Sequence, residues 1–200
     1  MTSRLVLLAL LISVTNAARA GHGLINSFAG IDWLPEAGLV PVDFGWRVDR
    51  WAEHIDVMRA PTAEAAIELL NAHAMERLAE AVLLVKRMKG AAAEPALEDY
   101  ASLLEQLSTR IGTLEGEART TAQLTFAARL LEAQYILSTE YLDLPREHRT
   151  ALAPAVEAAQ RQYQAQRAPL SRRQQESLFF REEEVRWSWE QAQAADAQGL

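Results

Sequence analysis

The side chains of this 200-residue chain that could do chemistry are four histidines, His22, His54, His73 and His148, and a large population of carboxylates; there is no cysteine. Without thiols there is no disulfide, thiolate metal site, iron–sulfur cluster or cysteine nucleophile. No two histidines form a His-x-x-x-His pair. His73-x-x-Glu76 reverses the Glu-x-x-His order of di-iron bundles, and neither order has a second copy. Glu53-His54 and Glu147-His148 are adjacent pairs, whose side chains diverge on a helix. The spacing therefore predicts no metal site in the body of the chain. His73 with Arg77 and Glu80 reads as the polar edge of a helix seam. Gly-x-Ser-x-Gly, Ser-x-x-Lys and glycine-rich phosphate loops are missing. Carboxylate groups such as Glu76/Glu80 and Glu182/Glu183/Glu184 are the kind that solvated helices carry, so no catalytic residue, cofactor or enzymatic activity is expected.

The elements that would position these residues are helical. Ala, Leu, Glu, Gln and Arg dominate, half the residues are apolar and 24% are charged. That is globular composition rich in strong helix formers, with few β-branched residues for strands. The fold class expected is an all-α bundle of amphipathic helices.

Residues 1–20 read as a cleavable secretory signal peptide: Arg4 supplies the charge, Leu5–Val14 the apolar run, and Ala18-Arg19-Ala20 the small residues a signal peptidase reads. Cleavage is expected between Ala20 and Gly21, giving a periplasmic or extracellular chain. The ten-residue run spans about 15 Å as a helix, against ~30 Å of bilayer core. No later stretch reads as a membrane span. Without Arg4 and Arg19, 18 basic residues face 27 acidic ones, a net charge of −9. This disfavours nonspecific nucleic-acid binding, which needs a basic face. Cleavage would also leave Gly21-His22 at the terminus, where the amine, an amide and the imidazole can chelate Cu(II). The simpler reading is a frayed end with an incidental histidine.

Residues 21–44 hold four glycines and two prolines among apolar residues, and read as an irregular arm packed on the bundle. The bundle domain is expected over 45–168. Its first helix runs to about Arg59 with Trp46, Val48, Trp51, Ile55 and Met58 mostly on one stripe. A second is capped by Thr62, carries Ile67, Leu70, Ala74, Leu78, Ala81, Val85 and Met88 inward with Glu64, Glu68, Glu76 and Glu80 on the other faces, and stops at Gly90. Leu97, Tyr100, Leu104, Leu107, Ile111 and Leu114 keep a coiled-coil-like spacing, and a shifted stripe follows through Leu124, Ala128, Leu131, Tyr135 and Leu142. One long, bent helix over about 95–142 is expected; the rival is a turn at Gly112–Gly116. Pro145 suits a first helical position, and Pro154 breaks or restarts a helix that ends near Arg167.

Residues 169–200 form a separate C-terminal amphipathic helix in this reading, opened by a capping box at Ser171–Gln174. Leu178, Val185 and Trp189 can share one stripe, and Phe179, Phe180 and Trp187 cannot all join it. The helix should therefore pack beside the Trp46/Trp51 helix or present Phe179, Phe180, Trp187 and Trp189 to a partner or second copy; the rival is a helix covered on both faces by the N-terminal arm. Arg161, Arg167, Arg172 and Arg173 lie in a stretch without acids and could dock an anionic surface; the simpler reading is cations at a helix end.

Gly38-Leu-Val-Pro41, Val48-Asp49-Arg50-Trp51-Ala52-Glu53, Met75-Glu-Arg77-Leu-Ala-Glu80-Ala81, Lys89-Gly90, Leu97-Glu98-Asp99-Tyr100 and Leu144-Pro145-Arg-Glu-His-Arg149 together resemble a family of exported bacterial all-helical domains of unknown function. The resemblance covers roughly 38–165. The chain departs from it at Asp43-Phe44, where a small polar residue and Pro are usual, and at Pro154. It implies an extracytoplasmic helical domain without established catalytic residues. A looser analogy is to small helical periplasmic stress chaperones, although Leu124-Thr125-Phe126-Ala127-Ala128 lacks their glutamine and Leu170–Gln174 matches only in part. The function expected is binding or scaffolding in the cell envelope, through a protein partner or self-association; a holdase for unfolded clients is the alternative, and an enzyme the third.

Overall fold

A computed structural model of the protein describes Phe28 and residues 33–198. The expected signal peptide with its cleavage residues Ala18, Ala20 and Gly21, the Gly21-His22 copper candidate, and most of the arm up to residue 32 lie outside the described residues. The second of two compact units, Ile31–Leu200, contains every helix discussed below.

Among the described residues there are six α-helices and no strand. They are α1 (Trp46–Arg59), α2 (Ala63–Lys86), α3 (Glu94–Thr113), α4 (Gly116–Asp143), α5 (Ala153–Arg167) and α6 (Arg172–Gln198), with short 3₁₀ turns at Gly90–Ala93 and Arg146–Leu152. The all-α bundle expected from composition is what forms. Four of the six starts have a local cause in a capping side chain or a first-turn proline. The Thr62 side chain accepts a hydrogen bond from the Ala65 amide, and Glu64 sits in the first turn. Pro95 and Pro154 occupy first-turn positions of α3 and α5, where a missing N–H costs nothing. Gln174 reaches back to accept from the Ser171 amide at 2.9 Å, the capping-box bond that opens α6.

The α2–α3 seam is the most extensive helix contact. Leu70, Ala74, Leu78, Ala81 and Val85 of α2 and Leu97, Tyr100, Leu104, Leu107 and Ile111 of α3 are all buried, as their spacing predicts; at the ends of these stripes Ile67 and Leu114 are only half-buried and Met88 is exposed, because the helices run out there. Helix α5 packs on both α3 and α4, α6 packs on α4, and α1 packs on α2.

Four expectations need correction. The 95–142 region is not one bent helix: α3 ends at Thr113, Leu114 and Glu115 are extended, and Gly116 restarts the chain at φ +57°. Two consecutive extended residues remove the intrahelical bonds that a stutter would keep, and only glycine takes that φ without strain. Next, the buried stripe of α4 is Phe126, Ala127, Leu130, Leu131, Ile136 and Leu137. Of the five residues expected, only Leu131 is buried, because α4 is packed on by both α5 and α6 and so buries a wider sector than one narrow seam. The stop of α2 comes earlier than Gly90: Met88 takes φ +59°, and the Met88 and Lys89 amides donate to the Val85 and Leu84 carbonyls. That is the left-handed helix terminator that glycine normally supplies.

The fourth correction is α1. Only Trp46 of its expected inward stripe is buried. The inward face is Trp46, Arg50, Glu53 and Val57, at i, i+4, i+7 and i+11. Val48, Trp51 and Met58 lie opposite, 65%, 67% and 61% exposed. The helix turns Arg50 and Glu53 inward and an apolar stripe outward, with Arg47, Asp56 and Arg59 exposed.

Candidate functional site

The inward face of α1 meets His73, Glu76, Arg77 and Glu80, four residues of one face of α2. Arg77 and Glu80 are 0% exposed, deeper than the polar seam edge at which the sequence placed them. A buried charge needs a partner, and the partners come from both helices. Arg77 Nη2 donates to Glu53 Oε1 at 2.7 Å and lies 3.0 Å from Glu80 Oε1 and 3.6 Å from Glu76 Oε2. The Trp46 indole N–H donates to Glu80 Oε2 at 2.9 Å. The Arg50 and Arg77 guanidinium carbons stand 5.4 and 5.9 Å from the Trp46 ring centre, within cation–π range. Arg50 pairs with Asp99 of α3 at 2.8 Å, extending the network to a third helix.

The electrostatics follow from burial. Desolvation pushes the Glu80 carboxyl up to about 7, against the opposing pull of the Trp46 hydrogen bond and Arg77. Desolvation also raises Glu53 and Asp99 and lowers His73. His73 Nδ1 is 3.9 Å from Glu53 Oε2, too far for a hydrogen bond, and its Nε2 is buried with no partner. Glu53, His73 and Glu76 each offer a ligand atom within 4.8 Å of the others. Gly38 closes the cluster from the arm: a Cβ there would lie 2.8 Å from Glu76 Oε1. The sequence suggested a polar seam at His73, Arg77 and Glu80. It gave no sign of Arg50 and Glu53, whose signal is the Trp46–Arg50–Glu53–Val57 spacing and not any local motif.

Two other surfaces have chemical character. Where α3 and α4 separate, a groove of about 510 Å³ opens between them and α2. Ile67, Leu107, Leu114 and Phe126 line it together with Glu64, Glu68 and Glu117. The second surface is the outer face of α1, where fully exposed Phe44 precedes Val48, Trp51 and Met58. Arg47 and Arg59 flank this stripe and are exposed.

The remaining candidates resolve as follows. Helix α6 lies on α4 and α5 and not beside the Trp46/Trp51 helix. Ser188 hydrogen-bonds Ser138 at 2.5 Å, the Trp189 ring meets Tyr141 edge-on at 5.6 Å, and Glu182 is bonded by Tyr163 and Arg167. Leu178 and Val185 are buried on its inner stripe, while Phe179, Phe180 and Trp187 are exposed. Trp189, packed on Tyr141, belongs to the inner side. The four arginines are not brought together as one free patch: Arg167 pairs with Glu182 and Arg172 with Glu176. His54 is exposed on α1, beside the cluster, and His148 lies in the second 3₁₀ turn. Among the described residues, no helix is long and apolar enough to cross a membrane.

Comparison with curated proteins and with solved structures gives no match. The match to a family is extensive. It begins at Gly38, the arm residue that abuts Glu76, and runs through α1 and the buried network to α6, so it takes in the C-terminal helix that the sequence reading had left outside. Over residues 38–195 the chain belongs to the family described as a domain of unknown function, DUF5667.

Proposed function

We propose that this protein is a non-catalytic binding or scaffolding protein of the bacterial cell envelope, exported with cleavage after Ala20, and that it docks a protein partner on the outer face of α1. The observation that carries the reading is the inverted amphipathicity of that helix. Val48, Trp51 and Met58 are more than 60% exposed in one stripe, continued by Phe44. Together they present on the order of 500 Å² of apolar surface, the size at which a patch on a monomer is commonly an interaction site. A fold that merely needed α1 to pack would turn these residues inward. Exposed Arg47 and Arg59, with exposed Asp43 and Asp56, give the stripe a rim of mixed charge, which suits a partner surface that is apolar at its centre and polar at its edge.

Photo-crosslinking in the exporting host tests this. A photoreactive residue at Trp51 should give one discrete protein adduct, lost on Val48→Lys. The same residue at exposed Arg173 should give none. Monomer alone at both positions overturns the reading. Intact-mass analysis of the exported chain tests cleavage: retention of Leu5–Val14 would refute it.

The 510 Å³ groove favours a second reading, a holdase that takes apolar segments of unfolded clients. Its three glutamates suit basic ones. Suppression of aggregation of a denatured basic protein at substoichiometric ratio, abolished by Phe126→Glu, would support it over the α1 reading.

A further inference from the structure

We propose that Glu53 of α1 and His73 and Glu76 of α2 form a binding site for one divalent transition-metal ion of the zinc class. The three donors lie within 4.8 Å of one another. Four ligands placed tetrahedrally at about 2.1 Å from Zn²⁺ stand roughly 3.4 Å apart, so closing on an ion needs only small side-chain movements. His73 Nδ1 and Glu53 Oε2, at 3.9 Å, are already near that separation.

Three further observations converge on the same place. His73 is half-buried, its Nε2 has no hydrogen-bond partner, and its Nδ1 contact is too long to be one. With Nδ1 on the ion, Nε2 carries the ring proton, and this unpartnered buried N–H calls for a water beside it, the outer bond a ligating imidazole normally makes. A cavity of about 50 Å³ adjoins two of the three donors, Glu53 and His73; Arg50 and His54 also line it, and Glu76 does not. It has room for an ion's remaining water ligand, and places His54 at its wall.

The third observation is charge. Glu53, Glu76, Glu80 and Asp99 carry four negative charges when ionised, against two positive charges on Arg50 and Arg77. The surroundings of the donors are therefore net negative, which favours a bound cation. Arg77 does not block the position. It holds Glu53 through Oε1 and leaves Oε2 facing His73, which is how an outer group orients a ligating carboxylate. Gly38 performs the matching task for Glu76 by letting its carboxylate sit against the arm backbone.

Calorimetric titration of the mature protein with Zn²⁺ in chelator-stripped buffer tests the site, in a His22→Ala background that removes the N-terminal chelate. The expected result is one ion per chain. His73→Gln and Glu76→Gln should each weaken binding at least tenfold while circular dichroism shows an unchanged fold. Gly38→Ala removes no ligand but forces the Glu76 carboxylate away, and should weaken binding by roughly the 10–100-fold typical of lost outer-sphere support. Co²⁺ substitution should give the visible absorption of a four-coordinate site. Absence of binding at 1 mM Zn²⁺, or binding that all three substitutions leave unchanged, overturns the proposal.

Discussion

Removing the central cation of the α1–α2 network should expose how much its burial costs. Arg77→Met keeps the length and apolar stem of the side chain and deletes the charge. Arg77 is fully buried and contacts Glu53 at 2.7 Å, Glu80 at 3.0 Å and Glu76 at 3.6 Å. At an effective dielectric of about 20, each of the two close contacts is worth roughly 5 kcal/mol of attraction, most of it offset by desolvation of the guanidinium. Breaking such a pair from one side leaves the carboxylates buried and unpaired, at a cost of about 3–5 kcal/mol. The cost must depend on pH, and its sign is fixed. Glu80 titrates at about 7 in the folded protein against an ordinary 4.5. A raised carboxyl pKa destabilises the fold progressively as pH climbs from 4.5 through 7. Over that window the wild type forfeits up to about 3 kcal/mol at this group. Without Arg77 the opposing attraction is lost and the pKa rises further, so the window over which stability falls extends above pH 7 at the same limiting slope of about 1.4 kcal/mol per pH unit. At pH 5 the Glu80 carboxyl is protonated in both proteins. Urea unfolding monitored by circular dichroism, with EDTA present, should therefore show a deficit of about 3–5 kcal/mol at pH 8 that is smaller by about 1 kcal/mol at pH 5. A deficit equal at both pH values, or under 1 kcal/mol at pH 8, refutes the argument.

Two backbone positions give further tests by the same assay. Gly112→Ala should stabilise by about 0.5–1 kcal/mol, because the site is helical with open space around a new Cβ, whereas Gly116→Ala should destabilise by about 1 kcal/mol, because φ there is +57°. Met88→Gly should stabilise by up to about 1 kcal/mol, since Met88 is exposed and strained at φ +59°; a loss of stability would show that its side chain, and not the turn, matters.

The fold was legible wherever apolar residues recur at helical spacing and face a single neighbour. The α2–α3 seam is of that kind, and Leu70, Leu78, Leu104 and Ile111 are all buried as read. So is α6, where Leu178 and Val185 separate from Phe179, Phe180 and Trp187. The reading failed where burial is not apolar. In α1 the hydrophobic stripe is real but faces outward, and the inward stripe contains Arg50 and Glu53. A pattern rule that assigns the apolar face to the core inverts such a helix. Met88 could not be foreseen as a terminator, because its positive φ is imposed by the turn and not by its own preference. The polar cluster was half visible: His73, Glu76, Arg77 and Glu80 share one α2 face by spacing alone, but which helix supplies their partners is tertiary information.

These features make α1 the element most weakly held to the bundle. Its own contribution to the core is Trp46 and Val57; its other inward groups are Arg50 and Glu53, tied by ion pairs that net little after desolvation. Helix α2, by contrast, buries an apolar column from Ala66 to Val85. Local opening of α1 should thus require less free energy than global unfolding, while α2 and α3 open only with the whole domain. Native-state amide exchange should show central α1 amides exchanging at least tenfold faster than central α2 amides. Urea should accelerate the α1 amides only weakly, since little surface is exposed when α1 lifts off. Exchange of α1 at the global rate, with the same urea dependence as α2, would show that the polar network binds as firmly as an apolar seam. Glu53 is the α1 donor to the metal site, so Zn²⁺ should slow the α1 amides selectively. That would couple the ion to the surface offered by Val48, Trp51 and Met58, since a helix pinned through Glu53 holds its opposite face in one orientation.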